Sequence, residues 1–302
     1  MCYRITSVFV EQNRSECDFA GDDSWVILSP IEQSIKSKIE AIGTPLKDWD
    51  INIYRGILTG FNEAFIISTD KRNEILSNCH SDDERKRTEE IIRPILRGRD
   101  IKRYSYDWGG LYLVWVPWHF PLHLDNTIQG ASEVAEKAFQ IQYPSVYQHL
   151  LQYKPQLSAR NKAETGIRYE WYALQRWGAN YWEDFQKPKI IFQEIVQESQ
   201  FVIDDKVHFY CNDTCRIITG KDLSFLVRIL NSKLFFYSVK TFYGGGKLGE
   251  SGVRMKHTFF NQFPCIRPNA KVLSASDALL IDECIYELYG LTPEEIDYID
   301  NQ

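Results

Sequence analysis

Basic side chains concentrate in two stretches in the middle of the chain. Residues 85–104 contain eight basic and three acidic residues, and residues 221–267 contain eight basic and two acidic residues. The C-terminal segment 269–302 is acidic instead, with eight acidic residues and a single lysine. Because Lys and Arg bind phosphate groups, the middle of the chain is predicted to attract a polyanion. The alternative is that both stretches are solvated surface.

The candidates for phosphate contacts lie in these two stretches. They are Arg93, Arg97, Arg99, Lys102 and Arg103 in the first, and Lys247, Arg254 and Lys256 in the second. The second group lies beside three consecutive glycines, 244–246, and glycine lets a backbone approach a phosphate closely. The alternative for the segment Arg97–Asp100 is a turn closed by an Arg–Asp ion pair.

A second group of side chains could read base edges. Arg55, Thr59 and Asn62 are the polar candidates around the segment 56–65, and Arg and Asn are the side chains that bind guanine and adenine bidentately. The alternative for Asn62 is a turn-capping role. Further along, the candidates for lining a groove are Arg160, Arg168, Tyr172 and Arg176. For the tryptophans interleaved with them, packing in the core is the alternative.

The sequence contains no complete catalytic or metal-binding constellation. The glycine run 243–252 follows a predicted helix and lacks the spacing of a nucleotide-phosphate loop. His208, Cys211 and Cys215 have no obvious fourth ligand, and His119 and His123 are separated by Pro121, which prevents a helical zinc face. We therefore predict neither catalysis nor a metal site in this chain.

Composition is that of a soluble globular protein. Of the 302 residues, 44% are hydrophobic and 25% are charged, which supplies a substantial core and excludes intrinsic disorder. The N-terminus lacks the pattern of a secretory signal, and no apolar run is long enough for a membrane span. Seven cysteines are then expected to be reduced thiols in a cytoplasmic protein.

The hydrophobic pattern predicts a mixed α/β (α+β) fold without regular βαβ alternation. Helices are expected over 22–42, 82–93, 131–153 with an interruption at Pro144, 222–239 and 276–289. Strands are expected on both sides of a glycine turn within 49–68, and over 111–116, 189–195 and 200–210. Thr292, Pro293 and Glu295 form the signature of a capping box that opens a last helix.

Six segments in order resemble a known family. They are GILTGFNEAF (56–65), IRPILRGRDIKRY (92–104), FQKPKII (185–191), LNSKL (230–234), FNQFP (260–264) and IYELYGLTPEEI (285–296). Their order and spacing resemble the TaqI-like C-terminal specificity domain. In that family it is the target recognition part of adenine-specific DNA methyltransferases and of type IIG, Eco57I-like restriction-modification enzymes.

The resemblance implies a division of the chain and a set of partners. It implies a lead-in with a helix over 1–48, a DNA target recognition domain over 49–268 and C-terminal helices over 269–302. Double-stranded DNA is the expected ligand, and a methyltransferase catalytic domain, in cis or in trans, is the expected partner. S-adenosylmethionine would belong to that other domain, which leaves this chain without catalysis or cofactor.

The resemblance leaves the origin of the chain open. Because the chain begins just before the recognition region, it is expected to be an excised domain, a truncated product or a separate specificity subunit. Two rival functions are a fragment with nuclease activity, and a protein-interaction or glycan-binding module that uses the aromatic residues.

Overall fold

The computed structural model describes residues 28–244 and 252–302, and they form two compact units. Among the described residues, the first unit contains 28–49, 197–199, 228–244 and 252–302, and the second contains 50–196 and 200–227. The functional division into 1–48, 49–268 and 269–302 stays a prediction. Within the described residues, no helix combines the length and the apolar character that crossing a lipid bilayer requires.

Short helices make up most of the first unit. They are Pro30–Ile42, Leu46–Asp48, Lys233–Ser238, Val239–Tyr243, His257–Phe260, Ala270–Ser274, Ala278–Leu288 and Pro293–Asp300. The short strands Thr44–Pro45 and Pro264–Cys265 pair antiparallel, and Val253–Arg254 is a further strand. The helix Leu223–Leu230 contains the division between the two units.

The first and last helices of this unit are joined by a buried carboxylate. Glu295 closes the capping box of Pro293–Asp300, and it also accepts hydrogen bonds from Ser34 Oγ at 2.6 Å and Lys38 Nζ at 2.7 Å. Burial alone would raise the pKa of Glu295, but these hydrogen bonds outweigh it and hold the pKa below its usual value. The predicted capping box therefore has a tertiary role in addition to its local one.

The second unit contains two four-stranded sheets and eight short helices among its described residues. Its first sheet is antiparallel, in the order Ile51–Arg55, Cys215–Gly220, Lys189–Gln193 and Phe201–Asp204. Its second sheet has the order Ile66–Ser68, Leu111–Val114, Ile92–Leu96 and Tyr210–Cys211, with the last pair parallel. The helices are Asn62–Phe65, Thr69–Ser77, Asp82–Ile91, Gly98–Asp100, Glu133–Gln142, Pro144–Leu151, Lys154–Ser158 and Trp182–Gln186, and Ile195–Val196 is a further short strand.

Aromatic side chains fill the core of the second unit. Trp115, Trp171 and Trp177 are no more than 9% exposed, and Phe139 contacts Phe120, Tyr147 and Tyr172. The high aromatic content is therefore used mainly for packing. This burial removes most of the aromatic surface on which a glycan-binding or protein-interaction module would depend.

The segment FQKPKII contains a lysine, Lys189, that forms a buried ion pair. Lys189 is fully buried, and its Nζ donates to Asp204 Oδ2 at 2.8 Å and to the Phe185 carbonyl at 2.9 Å. The same carboxylate accepts backbone N–H bonds from Val207, His208 and Phe209, which close the turn after Phe201–Asp204. Because each charge has its counterpart and further hydrogen bonds, the pair is tolerated in the core.

The mixed fold class predicted from the sequence is confirmed, and several element boundaries differ. The predicted helix 222–239 is two helices, because Ser232 caps the start of Lys233–Ser238. The predicted second strand within 49–68 is preceded by the helical turn Asn62–Phe65. The predicted helix 82–93 ends at Ile91, and Pro94 lies inside the strand Ile92–Leu96.

Candidate nucleic-acid interface

Three backbone segments of the second unit run side by side in the same direction. Ile95 and Leu96 pair in parallel with Tyr210 and Cys211, and Asn212 pairs in parallel with Ile57. Backbone hydrogen bonds connect all three, because Ile57 N donates to the Cys211 carbonyl at 2.8 Å and Asn212 N donates to the Leu96 carbonyl at 3.2 Å. Because these paired segments run in the same direction, the residues that follow each of them lie at the same end of the pairing. The segments after Leu96 and after Ile57 therefore lie at one edge.

A fourth segment extends this edge. Leu58 and Arg176 exchange two backbone hydrogen bonds, of 3.0 Å and 2.9 Å. From Arg176 to Leu96 the edge therefore spans three strand spacings, or about 15 Å. We call the segments 58–62, 97–103 and 168–176 the arginine edge, because they contain six of the twelve basic side chains predicted to bind DNA.

Arg97 belongs to a closed turn on the arginine edge. Its Nε and Nη2 donate to the Asp100 carboxylate at 3.0 Å and 2.8 Å, and its backbone N donates to the same group at 2.8 Å. Burial alone would raise the pKa of Asp100, but the hydrogen bonds and charge of Arg97 outweigh it and lower the pKa. The turn with an Arg–Asp ion pair is therefore present, and it engages Arg97 rather than Arg99.

The glycine of this turn lies against Gln193. A Cβ atom at Gly98 would lie 2.7 Å from the Gln193 side chain, which would have to move to accommodate it. In the segment RGRD, Arg97 and Asp100 thus close the turn, while Arg99 is exposed to solvent.

Lys102 and Arg103 lie in a tight hairpin turn. Ile101 pairs with Tyr106 in an antiparallel bridge, and Lys102 exchanges backbone hydrogen bonds with Ser105. Lys102 is exposed and its Nζ donates to the Arg99 carbonyl at 3.1 Å, while the half-buried Arg103 lies over the Tyr104 ring. The turn places these two cations next to Arg99.

Thr59 and Asn62 shape the loop that follows Ile57. Thr59 is buried, donates from its hydroxyl to Asn62 Oδ1 at 2.6 Å and accepts from the Phe61 backbone N. Asn62 is exposed at the start of the helical turn Asn62–Phe65. Thr59 therefore fixes the loop from inside, and the amide group of Asn62 remains at the surface.

Arg160 has a structural position that the sequence did not reveal. Its guanidinium donates to four backbone carbonyls at 2.6–2.9 Å, those of Leu157, Thr59, Trp171 and Ala173. Burial lowers the pKa of Arg160 to about 10, which leaves the group charged at neutral pH. Because a guanidinium has only five N–H donors, Arg160 joins the loop 58–62 to the segment 171–173 and has little capacity left for DNA.

Tyr172 lies in the core and does not line a groove. Its side chain is 0% exposed, and its hydroxyl donates to the Phe120 carbonyl at 3.0 Å. The alternation of basic and aromatic residues in this segment is therefore an alternation of surface and core. The surface positions of the segment are Arg168 and Arg176.

Arg168 and Arg176 share one carboxylate. Glu164 Oε1 accepts from Arg168 at 3.0 Å and from Arg176 at 2.9 Å. Both guanidinium groups also lie over the ring of Trp118. The sequence analysis did not single out Glu164 or Trp118, although the spacing of four residues from Glu164 to Arg168 is typical of a helical ion pair.

The remaining predicted residues of this unit lie on strands that precede segments of the arginine edge in the chain. Arg55 is 51% exposed and lies 3.5 Å from the Asp213 carboxylate, and Arg216, directly across from it in the sheet, is paired with Glu194 at 3.0 Å. Arg93 is half-buried on the strand Ile92–Leu96. Arg216 is a basic residue that the sequence analysis did not include.

Two of the three candidates from the second basic stretch, Arg254 and Lys256, are described and belong to the first unit. Arg254 is exposed on the short strand Val253–Arg254, and Lys256 is half-buried. Lys247 lies outside the described residues. These residues therefore remain predictions from the sequence.

The candidate metal ligands are engaged elsewhere. Cys211 and Cys215 are buried, and burial raises the pKa of the Cys211 thiol, which disfavours the thiolate that binds metal. His119 Nδ1 lies 3.0 Å from Glu170 Oε1. In the part of the chain that the structure describes, no group of three or more His, Cys, Asp or Glu residues could hold a metal ion.

Comparisons with known proteins identify the domain. Residues 93–264 match the family of TaqI-like C-terminal specificity domains. No curated protein matches the chain. Two solved structures are similar to it: the type IIL restriction-modification enzyme MmeI in complex with DNA, and the type IIG restriction endonuclease BpuSI.

Sequence similarity to these two structures is low. MmeI is 14% identical with a TM-score of 0.49, over 85% of this chain and 36% of that chain. BpuSI is 13% identical with a TM-score of 0.45, over 87% of this chain and 28% of that chain. The chain thus corresponds in length to about a third of each enzyme.

Proposed function

Because the chain belongs to the family of TaqI-like C-terminal specificity domains, it acts in DNA target recognition, and we propose that it does so through the arginine edge. The matched region, 93–264, contains two of the three segments of this edge, 97–103 and 168–176. Target recognition requires phosphate contacts, which set the register on DNA, and base contacts, which read the sequence. The arginine edge supplies side chains for both.

The width of the edge is the observation that carries this proposal. Hydrogen-bonded backbone connects Leu96, Asn212, Ile57, Leu58 and Arg176 without a gap, and the residues after Leu96 and Ile57 leave on one side. Three strand spacings amount to about 15 Å, whereas the major groove of B-DNA is about 12 Å wide. Side chains at the two ends of the edge could therefore contact the two walls of one groove.

Phosphate contacts are assigned to the exposed cations at one end of the edge. Arg99 and Lys102 are exposed, and the turn Gly98–Asp100 and the hairpin 101–106 hold their backbone in place. Arg103 and Arg97 complete this group, and Arg55 and Arg93 are proposed as further phosphate contacts outside the edge. For Arg97 the ion pair with Asp100 leaves mainly a long-range electrostatic contribution.

Base contacts are assigned to Asn62, Arg168 and Arg176. Asn62 follows the glycine turn at the centre of the edge, and Arg176 is part of the ladder with Leu58. Amide and guanidinium groups can each form two hydrogen bonds to one base, to adenine and to guanine respectively. Thr59, Arg160 and Tyr172 hold this part of the edge in shape.

The chain would work together with a methyltransferase catalytic domain, in cis or in trans. That domain would bind S-adenosylmethionine and carry out adenine methylation, and DNA cleavage would belong to further parts of such an enzyme. Arg254, Lys256 and Lys247 are proposed as additional phosphate contacts. This assignment rests on their position within the basic stretch 221–267.

The phosphate assignment is tested by measuring DNA affinity as a function of salt. The variant Arg99→Ala, Lys102→Ala removes two exposed cations, so affinity should fall for every duplex sequence alike, and the slope of log affinity against log salt should decrease by about 2. Fluorescence anisotropy with labelled duplexes over a range of salt concentrations gives both quantities.

Lys86→Ala is the matched control for this experiment. Lys86 is exposed on Asp82–Ile91, the helix that enters the strand Ile92–Leu96 at the end opposite to the edge. Its removal should leave the salt slope within about 0.5 of the wild-type value. An unchanged slope in the double variant would exclude Arg99 and Lys102 as phosphate contacts.

A further inference from the structure

We propose that Glu164 is a positioning residue that aligns Arg168 and Arg176 as a pair of guanine-reading side chains. This inference rests on the proposed function and assigns a base and a supporting residue to one end of the arginine edge. It follows from how these three side chains and Trp118 are arranged.

Glu164 is the centre of the arrangement. Its side chain is 11% exposed, and Oε1 accepts from Nη1 of Arg168 at 3.0 Å and from Nη2 of Arg176 at 2.9 Å. Its other oxygen, Oε2, accepts from Asn161 Nδ2 at 2.8 Å. Both oxygens are therefore engaged, and the carboxylate is held from behind by a neighbour that is not an arginine.

Trp118 supports both guanidinium groups from the side. Their central carbons lie 5.6 Å and 5.9 Å from the centre of its ring, for Arg168 and Arg176 respectively. The ring itself is fixed, because it stacks on Tyr169 at 4.7 Å and its Nε1 donates to the Leu174 carbonyl at 2.8 Å. The two arginines thus share two supports, a carboxylate and an aromatic ring.

Unused hydrogen-bond donors remain on both arginines. A guanidinium has five N–H donors; Arg168 uses one on Glu164, and Arg176 uses one on Glu164 and one on the Gln175 carbonyl. The side chains are 60% and 47% exposed, so the remaining donors reach solvent. Two positive charges against one negative charge leave a net attraction for an acceptor-rich ligand.

The rigidity of the pair favours a base over a phosphate as its ligand. A phosphate contact tolerates a mobile cation, whereas a bidentate bond to the O6 and N7 atoms of guanine requires a guanidinium of fixed plane. The guanidinium of Arg176 is held by hydrogen bonds to the Glu164 carboxylate at 2.9 Å and the Gln175 carbonyl at 2.7 Å, and its backbone N and carbonyl are both bonded to Leu58. The carboxylate then selects which edge of the guanidinium faces outward.

The test compares Glu164→Gln with the wild-type full-length chain. A duplex library with a randomised central segment is first used to select the sequence that the wild type prefers. Affinities of both proteins are then measured for the selected duplex, for versions with each guanine replaced, and for unselected library duplex.

We expect the substitution to separate affinity from specificity. Removing one negative charge should leave affinity for unselected duplex unchanged or increase it. Discrimination against duplexes that lack one particular guanine should fall about 10-fold, because a bidentate arginine distinguishes guanine from other bases by at least about that factor. A purely structural role of Glu164 would instead lower both affinities together with the melting temperature.

Glu63→Gln is the matched control for the lost charge. Glu63 is exposed, directly follows the segment 58–62 of the arginine edge, and forms no ion pair with an arginine among the described residues. Its substitution should affect affinity for unselected duplex as Glu164→Gln does, and should leave discrimination unchanged.

The possible failures are distinguishable. If the wild type enriches no sequence from the library, the proposed function is wrong, and the inference about Glu164 is wrong with it. If the wild type enriches a sequence and Glu164→Gln discriminates as well as the wild type does, only the role of Glu164 is refuted.

Discussion

Substitution of Arg160 by methionine tests whether this residue holds the arginine edge together. Methionine fills a similar volume but removes all four hydrogen bonds to backbone carbonyls. A net contribution of about 1 kcal/mol per bond gives a loss of about 4 kcal/mol in the free energy of unfolding. That is a large fraction of the about 5–15 kcal/mol that stabilises a typical domain.

Thermal unfolding followed by tryptophan fluorescence measures this loss. Trp108, Trp115, Trp118, Trp171, Trp177 and Trp182, six of the eight tryptophans of the chain, belong to the second unit, so the signal reports mainly on the unit that contains Arg160. At about 2–4 °C per kcal/mol, the melting temperature should fall by about 8–16 °C.

Arg99→Met is the control for the Arg160 variant. Arg99 is exposed, so the same chemical change there should alter the free energy of unfolding by less than about 0.5 kcal/mol. If Arg160→Met melts within about 2 °C of the wild type, the four hydrogen bonds do not stabilise the domain and the reasoning is refuted.

Two further substitutions test the geometry around the arginine edge. Gly60→Ala should destabilise the protein more than Gly166→Ala does, as measured by chemical denaturation. Both glycines have φ near +76°, so the backbone strain of an alanine is similar at the two positions. A Cβ at Gly60 would lie 2.6 Å from Gln175 Oε1, whereas a Cβ at Gly166 would have no atom within 4 Å. Equal losses for the two variants would show that the contact with Gln175 is irrelevant. Asp100→Asn should remove a pH-dependent contribution to the free energy of unfolding: the folded pKa of Asp100 lies below its unfolded value of about 3.9, so this contribution is present above about pH 4 and is lost as pH falls through the folded pKa. Parallel pH profiles for wild type and Asp100→Asn between pH 2 and 6, a range of about two pH values on either side of that unfolded pKa, would contradict the pairing with Arg97.

Local signals in the sequence predicted the parts of the fold that depend on local chemistry. The helix ending at Ile42 and the capping box at Thr292 both appear as predicted, because a cap is satisfied within one turn. The break between Leu230 and Lys233 was missed, since the apolar stripe continues through it and the cap of Ser232 interrupts only the backbone.

The basic composition of the sequence indicated part of the arginine edge. It did not indicate which groups the side chains of the edge contact in the folded protein. The basic stretch 85–104 correctly located Arg99 and Lys102 at the surface. The positions of Arg160 and Tyr172 depend on carbonyl groups distant in sequence, those of Thr59 and Phe120, and no local pattern reveals such partners. In the same way, the link from Glu164 to Arg176 spans twelve residues of irregular structure and appears only in the folded chain.

The central claim is that the arginine edge contacts DNA, and photo-cross-linking tests it most directly. The full-length chain is bound to the selected duplex carrying iodouracil, irradiated, and digested for mass spectrometry of the cross-linked peptides. Cross-links within 58–62, 97–103 and 168–176 are predicted. Cross-links confined to other surfaces, such as the helices Asp82–Ile91 and Ala278–Leu288, would contradict the claim.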